Sequence, residues 1–82
     1  MKRIRRTRAV SLINENKGRF FGIKFNTVNG EPRSYNVHTH SNPIQDNHGY
    51  IRLKSRTGKY IKVDPANIIS MNIAKESYKI RT

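Results

Sequence analysis

Apolar residues recur at two different spacings along this chain. Near the start, Ala9, Leu12 and Ile13 recur at helical spacing between Thr7 and Asn16. Thr7 is placed to cap the start of that helix, and Lys17-Gly18 supplies a basic end and a glycine stop. From Arg19 to Val28 the period changes to two, with Phe21, Ile23 and Phe25 on one face of a strand. Asn29-Gly30 follows as a turn pair that tolerates positive φ, and Glu31-Pro32 delays re-entry and lengthens the loop. A second strand runs from Arg33 to about His40, with Tyr35, Val37 and Thr39 inward and Ser34, Asn36, His38 and His40 outward.

Residues 41–49 are polar and rich in breakers, as in an excursion between strands. Tyr50–Lys54 and Lys59–Val63 then form a hairpin around Ser55-Arg56-Thr57-Gly58, with Ile51, Leu53, Ile61 and Val63 pointing inward. Asp64-Pro65-Ala66-Asn67 predicts one tight helical turn, capped by Asp64 and started by Pro65. Ile68–Ile73 is the last expected strand. Three segments result: a flexible basic arm over residues 1–8, a folded domain over 9–73 and a basic tail over 74–82.

Five strands, a tight turn before the fifth and a long excursion after the second predict a mainly β fold, a small five-stranded SH3-like barrel preceded by a short N-terminal helix. The residues from Gly18 to Phe25, the Asn29-Gly30 and Arg33 that follow, and the run from Gly58 to Ser70, with its Tyr60 strand feeding Ile68-Ile69-Ser70, carry a resemblance. They resemble the small SH3-like barrel proteins encoded by bacteriophages, over about residues 8–73. The resemblance implies the fold and a phage origin, and it carries no residue roles with it. The longer basic arm and the histidine-rich second strand depart from the family pattern.

Length and charge narrow the function classes. Eighty-two residues, 34% of them hydrophobic, bury one thin core and leave no deep pocket. Lys and Arg number 17 against 5 Asp and Glu, for a net charge of +12. Such an excess calls for an acidic partner. Lys2, Arg3, Arg5, Arg6 and Arg8 place five of those charges in the first eight residues, and taking them from +12 leaves +7 on residues 9–82. The folded part is therefore basic in its own right. There is no cysteine, which excludes disulfides, zinc fingers and thiol chemistry. No apolar run approaches a membrane span, and no apolar segment follows the basic start as a signal peptide requires, so a cytoplasmic protein is expected.

One set of residues stands out as a binding face. Tyr50, Arg52, Lys54, Tyr60 and Lys62 form the outward set of the second hairpin, where rings for stacking on bases alternate with cations for phosphates. With Lys2, Arg3, Arg5, Arg6 and Arg8 as a phosphate-neutralising arm, they make up the candidate nucleic-acid site. The same residue types also serve as ordinary solvated cover on an outer strand face, and Phe20, outward on its own strand, is expected to pack beneath the helix. His38 and His40 share a strand face, with His48 and Asp46 in the following loop, but a strongly cationic chain is a poor host for a metal, so no metal and no cofactor are expected. Each of Glu15, Glu31, Asp46, Asp64 and Glu76 has a separate local place, so no carboxylate pair and no enzyme are expected. The expected partner is RNA or single-stranded DNA. The rival is an acidic host protein whose surface potential resembles that of nucleic acid.

Overall fold

The computed structural model describes residues 1–81. Two strand connections share one chemistry. Between β2 (Phe21–Asn26) and β3 (Pro32–His38), the Thr27 N–H donates to Glu31 O at 2.8 Å and the Gly30 N–H to Thr27 O at 2.9 Å. The Glu31 N–H donates to Thr27 Oγ1 at 3.2 Å and seals the loop. Between β4 (Ile51–Ser55) and β5 (Tyr60–Val63), Ser55 takes the place of Thr27: its N–H donates to Lys59 O at 2.9 Å, its O accepts from Gly58 at 3.0 Å, and its Oγ accepts from the Lys59 N–H at 3.1 Å. Both loops need a left-handed third residue, which Gly30 at φ +81° and Gly58 at φ +87° supply. Asn29 does not take positive φ, so the loop is the longer one that Glu31-Pro32 predicts.

The tight turn is a 3-10 turn over Pro65–Asn67, and Asp64 caps it by accepting the Ala66 N–H at 2.9 Å, as expected. It delivers the chain into β6 (Ile68–Ile73). The chain does not stop there. Ala74 and Lys75 turn at φ 50° and 67°, and β7 (Glu76–Ile80) returns antiparallel along β6. A further strand, β1 (Lys2–Ile4), lies parallel to β7.

Residues 1–8 are thus not a free arm in the structure. Lys2–Ile4 take their backbone partners from β7, Ile4 packs against the core, and Arg6 and Arg8 already belong to the helix α1 (Arg6–Glu15). The chain enters α1 straight from β1, so Arg5 occupies the cap position without a side-chain hydrogen bond, and Thr7 sits inside the first turn rather than capping it. Likewise, most of the expected tail is strand β7.

The seven strands form one sheet in the order β1-β7-β6-β2-β3-β4-β5. Among the described residues no pairing joins β1 to β5, so the sheet is open, with seven strands where a five-stranded barrel was expected. Its inner face carries Phe21, Ile23 and Phe25 of β2, Val37 of β3 and the alternating apolar residues of β4, β5 and β6. Ala9 and Ile13 of α1, both without solvent exposure, close that face. No helix among the described residues is long and apolar enough to cross a membrane.

Candidate nucleic-acid interface

Strand alternation and register together arrange the outer face of the sheet in rows. Lys79, Ser70, Lys24 and Ser34 are cross-strand neighbours on β7, β6, β2 and β3. One step along the strands, Ser77, Asn72, Gly22 and Asn36 form the next row. Beyond it lie Phe20, His38, Lys54 and Tyr60, with His38 paired to Lys54 and Lys54 to Tyr60. None of these positions carries a carboxylate.

The third row is a packed array of flat and cationic groups. The rings of Phe20 and His38 lie 4.5 Å apart between centroids, and those of His38 and His40 lie 5.0 Å apart, edge to face. The Arg56 guanidinium sits 4.6 Å over the Phe20 ring, and Lys54 Nζ lies 5.3 Å from the Tyr60 ring centre. Phe20, 43% exposed, therefore belongs to this array instead of lying beneath the helix. The packing shields His38 Nδ1 from solvent with no hydrogen-bond partner among the described residues.

Of the residues read as a site from the second hairpin, Arg52, Lys54 and Tyr60 line one hollow of about 660 Å³ together with His38, Thr39 and His40. Tyr60 is 78% exposed, which leaves most of its ring open to a ligand. Tyr50, 39% exposed, and Lys62 lie outside the hollow. Lys62 Nζ stands 3.7 Å from Asp46 Oδ2. Burial pushes the Asp46 carboxyl up, but the N–H groups of His48 and Tyr50, at 2.9 and 3.0 Å, and the charges of Lys62 and His48 outweigh it, so its pKa falls below the ordinary 3.8. The cation of Lys62 is thus partly matched from within.

The amino-terminal cations sit elsewhere. Lys2 and Arg3 ride on the opposite edge strand, Arg5 precedes α1, and Arg6 lines a separate hollow with His48 and Asp64. Lys2 pairs with Glu76 at 3.9 Å and Arg8 with Glu15 at 3.0 Å. With Arg33 on Glu31 at 2.7 Å, four of the five acids are held in surface ion pairs away from the three rows. Such pairs contribute little stability, and none of them involves Lys24, Lys54, Arg56 or Lys79.

Period-two alternation identified the hairpin residues on this face and could not identify their neighbours. Arg56 lies in a turn, His38 and His40 read as ordinary polar positions, and the meeting of Asn36 with Asn72 across Gly22 depends on strand pairing. His38, His40, His48 and Asp46 do not come together as a group of three metal-binding side chains among the described residues. Comparison with protein-family models, with curated proteins and with solved structures finds no match to this chain.

Proposed function

We propose that this protein is a non-enzymatic module that binds single-stranded nucleic acid, RNA or DNA, across the outer face of its sheet, in the cytoplasm of a host if it is phage-encoded. The observation that carries this is the coincidence of the Phe20–His38–His40 array with Arg52, Lys54, Arg56 and an exposed Tyr60, beside three rows of positions that carry no carboxylate. Cations on such a surface neutralise phosphates, and flat groups accept unstacked bases at roughly 1–3 kcal/mol each. An SH3-like arrangement is supported by the order β6-β2-β3-β4-β5 with a 3-10 turn before β6, extended here by β7 and β1.

The test is fluorescence anisotropy with a labelled single strand of mixed sequence over a series of salt concentrations. Affinity should fall steeply with salt. Changing Arg52, Lys54 and Arg56 together to Gln should reduce the slope of log K against log salt by about 2, at about 0.7 for each phosphate no longer neutralised. Changing Tyr50 and Tyr60 to Ala should weaken binding with little change in slope, and the effect of Tyr60 should exceed that of Tyr50, which lies outside the hollow. A flat salt response would overturn the proposal. Capture of an acidic host protein that survives nuclease treatment, combined with no oligonucleotide binding, would move the function to a protein partner.

A further inference from the structure

Neither a positive φ nor a steric clash demands glycine at position 22. It occupies the middle of β2 and is regularly paired on both sides, to Asn72 of β6 and to Asn36 of β3. Its backbone is not left-handed, and a Cβ there would make only ordinary contacts: 3.6 Å to Asn72 Cβ, 3.7 Å to Asn72 Nδ2 and 3.9 Å to Asn36 Oδ1. Glycine weakens a strand interior, and a central strand carries one at a bulge, at a bend or where another group must come close to the backbone. The irregularity in the β2–β6 pairing falls between Lys24 and Phe25, past Gly22. That leaves a bend or close approach from outside, and the groups over the glycine favour the second.

The groups over the glycine define what approaches. The Ser77 hydroxyl donates to Asn72 Oδ1 at 2.6 Å, which orients that amide and turns its Nδ2 donor toward Gly22. Asn36 Oδ1 stands over the glycine from the neighbouring strand as an acceptor. A donor and an acceptor side by side match an edge that offers an acceptor beside a donor, as the Watson–Crick edge of an unstacked nucleobase does. The hollow measures about 370 Å³, and its lining also includes Ser34, Ser70 and the exposed Lys24, whose ammonium can reach a phosphate. On the other side it adjoins the row of Phe20, His38 and Lys54.

We propose that this hollow is a base-edge subsite: one nucleobase of a bound single strand lies over Gly22 with its Watson–Crick edge between the Asn72 amide N–H and Asn36 Oδ1. The subsite rests on the single-strand function proposed above and adds the place where a base is recognised by its edge. Gly22→Val fills the hollow with a side chain that strands favour, and Asn36→Ala removes an exposed acceptor without touching the core.

The probes are labelled single strands of about 12 nucleotides and a strand of the same length whose sugars carry no bases, each titrated at fixed salt, with circular dichroism to verify folding. Wild type should bind the base-bearing strands more tightly than the abasic one. Gly22→Val should lose about tenfold on base-bearing strands and nothing on the abasic strand, with an unchanged salt slope, and Asn36→Ala should change in the same direction. Equal affinities of wild type and Gly22→Val for every strand would overturn the subsite and leave the single-strand function standing. An equal loss on the abasic strand would also overturn it, by showing a backbone contact in place of a base contact. No binding of any strand by wild type would overturn both.

Discussion

Replacing Gly22 by Ala should make the protein more stable. Glycine in a strand interior is destabilising by roughly 0.5–1 kcal/mol relative to alanine, because the unfolded chain loses more freedom on ordering it. Overpacking would oppose that gain, but the nearest atom to an added Cβ is Asn72 Cβ at 3.6 Å, an ordinary contact. Desolvation would oppose it too, yet Asn36 and Asn72 are exposed and keep their water. The gain therefore survives almost whole. For a domain of this size it corresponds to a rise in Tm of about 2–8 °C. The assay is thermal unfolding followed by circular dichroism, with a urea series to verify an unchanged m-value. Gly22→Val should gain at least as much, since β-branched side chains suit a pleated strand. A Tm below wild type for the alanine variant would mean that the fold itself needs the glycine, and would remove the ground for a ligand there.

Three further outcomes follow from the structure. Lys75→Gly should raise the urea midpoint by the equivalent of about 1 kcal/mol, because an L-residue in the left-handed region costs roughly 1–2 kcal/mol and Lys75 stands at φ 67°. Deleting residues 1–4 should lower stability by about 1 kcal/mol or more, because Ile4 is half-buried against the core and β7 loses its outer partner; an unchanged Tm would show that β1 contributes nothing. The depressed pKa of Asp46 stabilises the folded loop above the unfolded carboxyl pKa near 3.8, and that contribution disappears as pH falls through the lower folded value. The Tm of Asp46→Asn should therefore lie below wild type at neutral pH and converge with it at acidic pH, and parallel curves would refute the assignment.

The sequence makes legible the elements that bury an alternating face. Phe21, Ile23 and Phe25 specify β2 by themselves, as do Ile51, Leu53 and Val63 for the second hairpin, because a buried face needs apolar side chains at every second position. β1 and β7 escape such a reading for the same reason. Lys2-Arg3-Ile4 has one apolar residue, Ala74-Lys75 has no turn chemistry, and both strands exist because an edge is there to pair with. The binding face divides along the same line. Tyr60, Arg52 and Lys54 are visible from alternation within one hairpin. The Gly22 hollow becomes visible only when register sets Asn36 and Asn72 on either side of it, and Phe20 could not be assigned to the outer array until His38 and Arg56 were known to meet it.

The pairing of β1 with β7 sets an order on how this molecule is completed during synthesis. Lys2 lies opposite Tyr78, Ile4 opposite Ile80, and the Arg81 N–H donates to Ile4 O at 2.8 Å. Of the seven strands, the one made first has as its sheet partner the one made last. The pairs β2–β3 and β4–β5 are close in sequence and can form on a partial chain, whereas β1 must wait for β7. Until then a short basic segment hangs free of any sheet, and Ile4 joins the core as one of its final pieces. The finished sheet is thus fastened by contacts between residues 76 positions apart, and because the pairing is parallel the described chain enters β1 and leaves β7 at opposite ends of the pair.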